Sequence, residues 1–268
     1  MDNFKKTLSE IRRYPSAILG LVIVALLIVL AVYAVIKIPY SQAIYLWRGG
    51  EQVWYKNPKN VPPNWVNWFS KEKLPRSFAV TVGEDGITKE VIQVDKEISK
   101  INFSYAFDFN YDAPPQEMFL YLSADYLQKQ PFVSIRMVTP EVREIRISDF
   151  GVSHKQTFRF TQEKKLVRRL GGLDPMVGIF SVEGSDPPVP LKVTYQIFID
   201  GLAYEKDADL DVEFVLHGKT YGIAGTDHQR RDLSVALLWG APIAIAFGLL
   251  AAIGTSILSM IFAAISAW

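Results

Sequence analysis

The chain has 268 residues, 49% of them hydrophobic, a formal charge of +1 and no cysteine. Acidic and basic residues are finely mixed, which excludes the basic stripe or patch that nucleic acid requires. The lack of cysteine excludes disulfides, thiolate metal sites and cysteine nucleophiles. The hydrophobicity is concentrated near the two ends: Ala17 to Ile36 is twenty residues without a charge, and Leu233 to Trp268 is thirty-six. At ~1.5 Å per helical residue, about twenty residues span the ~30 Å hydrocarbon core of a bilayer. The second run is longer than one span, so part of it must tilt, lie in the interface or begin a turn.

Residues 1–16 form a basic N-terminus, with Lys5, Lys6, Arg12 and Arg13 against Asp2 and Glu10. By the positive-inside rule these charges keep the N-terminus cytoplasmic, and the first helix, residues 17–37, crosses outward. A cleaved signal peptide is disfavoured, because the apolar run exceeds the usual 7–15 residues and Lys37-Ile-Pro-Tyr40 is a poor cleavage site. Tyr33 and Tyr40 fall where amphipathic rings settle at an outer interface. Gly20 is read as a helix-contact position.

Residues 38–71 hold Trp47, Trp54, Tyr55, Trp65, Trp68 and Phe69 among Pro58, Pro62 and Pro63. Prolines at this density forbid a helix or a central strand across the stretch. The expectation is an irregular linker whose aromatics anchor at the membrane surface or against a partner.

From there the period is mostly two, as in Val133-Ser-Ile-Arg-Met-Val. Strands are predicted at Ser77–Val82, Thr88–Val94, Ile98–Phe109, Met118–Ser123, Val133–Thr139, Val142–Ile147, Thr157–Thr161, Leu191–Ile199 and Leu210–Leu216. Turn signals separate them at Gly83–Gly86, Asp112–Pro115, Gly184–Pro188 and Gly201. Short strands with such turns predict a sandwich-like all-β domain over residues 72–220. A short helix near Gln162–Leu170 carries Lys164, Lys165, Arg168 and Arg169, read as a solvated face. The predicted fold is thus an α-helical membrane protein in which two transmembrane segments flank an extracytoplasmic β domain.

No catalytic grouping is visible. His154, His217 and His228 are far apart and share no metal-ligand spacing. Asp207-Ala-Asp-Leu-Asp211 lacks the glycine and terminal glutamate of a calcium loop. Gly222-Ile-Ala-Gly225 has no Gly-Lys-Ser/Thr continuation, so no nucleotide loop is present. Asn102-Phe-Ser104 matches a glycosylation sequon but lies inside a predicted strand. No cofactor and no metal is expected.

The chain then reads Gly225-Thr-Asp-His-Gln-Arg-Arg-Asp232-Leu-Ser-Val-Ala-Leu-Leu-Trp-Gly240-Ala-Pro242. Residues 221–236 are read as an external loop and interfacial helix start, capped by Asp232 or Ser234. Residues 237–268 are the second transmembrane segment, in which Pro242 permits a bend. Gly240, Ala241, Gly248 and Gly254 are small residues suited to close helix packing, which points to a polytopic or multi-subunit assembly.

These residues resemble the second (C-type) inner-membrane permease subunit of the dipeptide, oligopeptide and nickel ABC importers. The shared features are the basic residues before Pro15, Pro62-Pro63-Asn64-Trp65, and a Gly-Thr-Asp-x-x-Gly-Arg-Asp element matched by Gly225, Thr226, Asp227, Arg231 and Asp232. Leu237 and Gly240-Ala241 match the run that follows. Arg230 stands where the family has glycine, and Pro242 where it has arginine. The likeness covers about residues 1–69 and 225–268, and the 159 residues between Trp65 and Gly225 would be an insertion.

The resemblance implies a partial or split permease subunit for peptides or related solutes. Its partners would be a second permease subunit, cytoplasmic ATPase subunits and an extracytoplasmic solute-binding protein, with the lipid bilayer around it. The family's further helices and coupling loop would follow Trp268. Gly225, Thr226, Asp227, Arg231 and Asp232 would form an external structural and gating element, and residues 38–232 would be extracytoplasmic. The alternative is a membrane-anchored β-sandwich sensor or binding module for a glycan, peptide or partner protein.

Overall fold

A computed structural model describes residues 14–83, 86–139 and 143–268. The basic residues Lys5, Lys6, Arg12 and Arg13, the turn residues Glu84 and Asp85, and the start of the strand expected at Val142 lie outside the described residues. The chain divides into two compact units. One comprises residues up to Val53 together with Arg231–Trp268, and the other is Trp54–Arg230.

The first unit is helical. Helix α1, Pro15–Lys37, starts on a proline whose fixed φ suits the first helical position. It ends at Ile38, which precedes Pro39 and is extended (φ −126°, ψ 91°), as a residue before proline prefers. Helix α2, Tyr40–Arg48, and the single turn α3, Gly50–Val53, follow where an irregular linker was expected, because the first of its dense prolines, Pro58, comes only after them. The long helix α6, Leu233–Ala267, closes the chain. Asp232 caps it, its Oδ1 accepting the Ser234 N–H at 2.8 Å.

Helices α1 and α6 pack together. Trp239 Nε1 donates to the Ile38 carbonyl at 3.2 Å, and the Trp239 and Tyr40 rings lie 5.6 Å apart. The end of α1 therefore meets the start of α6, and the pair runs antiparallel. Ala34 and Ala241 are the small buried residues beside this junction. Pro242 sits within the continuous α6. The hydroxyls of Thr255, Ser256 and Ser266 donate to carbonyls one turn back, so these polar groups are satisfied inside the helix. Both α1 and α6 are long and apolar enough to cross a membrane.

The second unit is a β-sandwich. Among the described residues it has nine strands: β1 (Phe78–Thr81), β2 (Thr88–Gln93), β3 (Ser99–Phe109), β4 (Glu117–Asp125), β5 (Phe132–Val138), β6 (Glu144–Gly151), β7 (Lys155–Arg159), β8 (Val193–Ala203) and β9 (Asp209–His217). They form two antiparallel sheets, of order β1-β9-β4-β7 and β2-β3-β8-β5-β6. All nine strands fall where the period-two pattern predicts. Helices α4, Lys164–Arg169, and α5, Pro175–Ile179, lie between β7 and β8. Helix α4 matches the expected short helix; α5 was not anticipated, although Asp174-Pro175 is a legible start, with Asp174 accepting the Met176 N–H.

Alternation sorts the side chains by face. Leu120, Leu122, Val212 and Phe214 from one sheet meet Ile101, Phe103, Tyr195 and Ile197 from the other in one apolar core. Phe214 sits at its centre, with ring centroids 5.9 Å from Phe78, 5.7 Å from Phe107 and 6.2 Å from Tyr105. Gly201, expected in a turn after β8, instead lies inside that strand. A Cβ there would meet the Ile101 carbonyl oxygen at 2.7 Å, so glycine permits the close approach of β3.

Truncating Phe214 to alanine empties the middle of this core. The Phe214→Ala variant is expected to lose about 3–5 kcal/mol, read as a lower denaturant midpoint by Trp fluorescence in detergent.

Candidate functional site

The register of the four-stranded sheet lays out its open face in rows. Thr81 pairs with Glu213, Glu213 with Tyr121, and Tyr121 with Thr157, so these four side chains cross the sheet in one line. The next row is Asp211, Ser123 and Lys155. Their neighbours along each strand, such as Leu122 and Val212, point into the core. The result is a groove of about 670 Å³ along the face, with hydroxyls, carboxylates, one amine and one aromatic ring on its floor.

Two floor residues, Tyr121 and Glu213, are held from behind the groove by Tyr55 and Lys56. The Tyr55 ring meets Tyr121 edge-on at 4.7 Å, and its hydroxyl donates to Glu213 Oε2 at 2.8 Å. Lys56 forms an ion pair with the other Glu213 oxygen. Burial, then the Glu213 carboxylate, pushes the Tyr55 hydroxyl pKa up. Hydrogen bonding to Glu213 raises that of Lys56. Tyr121 in turn stacks on Phe119 at 5.9 Å, so the ring on the floor is held from two sides.

Farther along the same strands His217 and Glu117 are buried. His217, 1% exposed, sits 4.8 Å from the Phe119 ring. Its Nε2 lies 3.0 Å from the Tyr55 carbonyl, and its Nδ1 lies 3.0 Å from Arg230 Nη1. A guanidinium can only donate, so Nδ1 must accept and the proton sits on Nε2. Burial, followed by the charge of Arg230, lowers the His217 pKa to about 3. Glu117 beside it is buried and accepts from Arg159 Nε at 2.6 Å and from the Thr161 hydroxyl at 2.5 Å.

The residues singled out from the sequence divide between the two units. Gly225, Thr226 and Asp227 belong to the β unit. Gly225 has φ +77°, and a Cβ there would meet the Val61 carbonyl oxygen at 2.3 Å. The Thr226 hydroxyl donates to the Pro58 carbonyl at 2.8 Å and accepts the Val61 N–H at 3.3 Å. The Asp227 carbonyl accepts the Asn60 N–H at 3.1 Å. Arg231 and Asp232 belong to the helical unit, where Arg231 stacks 3.9 Å over the Trp47 ring and Asp232 caps α6. Gly240, Gly248 and Gly254 lie along α6 with open space where a Cβ would stand, and Ala241 is buried.

The remaining candidates have structural placements. His154 Nδ1 lies 3.1 Å from the Ala124 carbonyl, and its ring stacks on Tyr126. Lys89 reaches Asp209 and Asp211 at 2.7 and 3.0 Å, so that acidic run already holds a cation. Asn102 is in β3, between β2 and β8. In α4, Arg169 donates to the Ile147 carbonyl. Among the described residues, no group of three or more His, Asp or Glu side chains is placed to hold a metal ion. Sequence reasoning missed the groove residues, because the row Thr81, Glu213, Tyr121, Thr157 exists only once the register is known.

No family model matches the chain, and no curated protein matches it. Among solved structures it is similar to TmCBM61 in complex with β-1,4-galactotriose, at 7% identity and TM-score 0.24, over 61% of this chain and 96% of that one. It is also similar to a carbohydrate-binding module of the β-sandwich superfamily, at 8% identity and TM-score 0.27, over 60% of this chain and 62% of that one. A third similarity is to infectious bursal disease virus, Gx strain, at 10% identity and TM-score 0.26, over 53% of this chain and 30% of that one. At scores this low, what those proteins bind is a property of those proteins.

The resemblance to an ABC importer permease, and with it the reading as a peptide-transport subunit, is therefore corrected. No family model supports it. Its residues also have another use: Gly225, Thr226 and Asp227 are bonded to the Pro58–Val61 segment and close the β unit.

The buried neutral His217 has a consequence for pH. The unfolded chain gains a proton on this histidine below its ordinary pKa of 6.5, whereas the folded chain does so only near 3. Its contribution to stability is thus complete above pH 6.5 and is lost as the pH falls from 6.5 towards 3. Denaturant midpoints of the wild type should fall across this window, and the His217→Gln variant should show a shallower fall.

Proposed function

We propose that this chain is a membrane-anchored binding module, held by α1 and α6, whose β-sandwich takes a polyhydroxylated ligand, a glycan, in the groove of the β1-β9-β4-β7 face. The observation that carries the reading is the composition and placement of the groove floor. Hydroxyls of Thr81, Ser123 and Thr157, the carboxylate of Asp211 and the amine of Lys155 surround the ring of Tyr121. Such a set suits vicinal hydroxyls, each of which both donates and accepts, beside an apolar ring face.

Rigid strands hold every one of these side chains, so little ordering entropy is spent on binding. Tyr121 is the anchor, because it is fixed between Tyr55 and Phe119 before any ligand arrives. The role is binding rather than catalysis.

The antiparallel arrangement of α1 and α6 supports a topology with both ends on one side of the membrane. The basic residues Lys5, Lys6, Arg12 and Arg13 place that side in the cytoplasm by the positive-inside rule. Residues 38–232 are then extracytoplasmic, where a glycan is met.

Two measurements test the reading. The full chain in detergent is expected to bind members of a glycan array, and Tyr121→Ala should weaken the best of them at least about tenfold, the loss of roughly 1.4 kcal/mol. Equal binding by wild type and variant would place the ligand elsewhere. A chain that bound peptides and no glycan would overturn the ligand class. For topology, the chain has no native cysteine, so Leu127→Cys in intact cells should react with an impermeant maleimide. Reaction only after lysis would reverse the orientation.

A further inference from the structure

The β unit presents a second feature that the groove does not use. The 3-10 helix Asn64–Trp68 and the turn at Ile223 expose a cluster of large apolar side chains. Trp68 is 77% exposed, Phe69 81% and Ile223 80%, with Trp65 at 46% between them. The cluster is held rigidly. Trp65 Nε1 donates to the Ile223 carbonyl at 2.9 Å, and the Trp65 and Phe69 rings meet edge-on at 6.4 Å. Asn67 brackets the loop that follows, its side chain exchanging two 2.9 Å hydrogen bonds with the Leu74 backbone.

Exposed tryptophan and phenylalanine at this density cost solubility unless something covers them. Two observations say what does. First, the segment from Lys56 to Arg76 carries Lys56, Lys59, Lys71, Lys73 and Arg76 against the single acid Glu72. Aromatic rings flanked by basic residues match the interfacial zone of a bilayer, where rings sit at headgroup depth and cations meet anionic lipid. Secondly, the cluster lies beside the two segments by which the chain enters and leaves the β unit. Asn57 is bonded to Arg230, Asn60 to Asp227, Asn64 to Gly222 and Trp65 to Ile223, so the incoming and outgoing segments run side by side. Leu233, the first residue of α6, stands ten positions after Ile223.

We infer that Trp65, Trp68, Phe69 and Ile223 form a lipid-docking face, which inserts at headgroup depth into an anionic phospholipid surface while Lys71, Lys73 and Arg76 meet the phosphates. This rests on the reading that α1 and α6 span the membrane. The face gives the β unit a lipid contact of its own.

The absence of cysteine makes the test direct. Nitroxide labels are placed one at a time at Trp68→Cys, Phe69→Cys, Leu127→Cys and Leu250→Cys in the full chain, reconstituted in phosphatidylcholine vesicles with or without phosphatidylserine. Leu127 is the control, because it is 90% exposed in the loop after β4, at the opposite end of that strand from Glu117. Leu250 is exposed in α6 and reports whether that helix spans.

The expected result is that labels at 68 and 69 relax with oxygen more than with a water-soluble nickel chelate, at a shallower depth than 250, whereas 127 shows the reverse. Phosphatidylserine should deepen 68 and 69, and the Lys71→Glu, Lys73→Glu double variant should abolish that shift. If 68 and 69 are as open to nickel as 127 while 250 reports lipid, the docking face is overturned and the anchor stands. Should 250 also report water, both readings fall. Protection of 68 and 69 only in preparations holding a second protein would overturn the lipid assignment in favour of a protein partner.

Discussion

A domain inserted between two long apolar helices receives the chain and returns it, and the structure joins the two segments with a short clasp. Residues 57–65 and 222–230 run side by side, joined by bonds from Asn57 to Arg230, Asn60 to Asp227, Val61 to Thr226 and Trp65 to Ile223. Gly225 allows the two backbones to touch, since any Cβ would collide with the Val61 carbonyl. Thr226 is 5% exposed and both donates and accepts across the clasp. Without these bonds the ends of the sandwich would be free to separate, and loop closure would have to be met by the sheets alone.

The clasp also reaches the candidate site. Tyr55 and Lys56, which lead into it, bond to Glu213 on the groove floor. Arg230, which ends it, donates to His217 and to the Asn57 carbonyl. The closure of the sandwich and the groove floor are therefore linked through Glu213. The exposed rings of Trp65, Trp68 and Phe69 extend the same segment outward. One stretch of some twenty residues thus meets the core at Val61, Glu213 at Tyr55 and solvent at Trp68.

The parts legible in the sequence are those governed by short-range pattern. Uncharged runs mark α1 and α6, and period-two alternation marks all nine strands. Gly201 misled because glycine is both a turn residue and the residue of close strand approach; the choice depends on Ile101, a hundred positions away. The groove was illegible for the same reason. Tyr121, Glu213, Thr81 and Thr157 carry no mutual signal along the chain, and only the register of three strand pairs brings them into one row. Prolines among the tryptophans were readable as a break in regular structure, but not the 3-10 helix Asn64–Trp68 that holds Trp65 and Trp68.

The importer resemblance failed at an instructive position. Arg230 replaces the glycine of the look-alike element and is nonetheless left-handed, with φ +64°. An L-residue there costs about 1–2 kcal/mol that glycine would not. The side chain offsets this through hydrogen bonds to the Asn57 carbonyl and His217 Nδ1, and by lying 6.0 Å over the Phe119 ring. Glycine would have kept the turn and lost the guanidinium whose charge, after burial, keeps His217 neutral. A handful of shared letters, Gly225, Thr226 and Asp227, describes a tight turn that many folds can use. The residue that departs from the pattern is the one that shows what this turn is for: joining the ends of a sandwich.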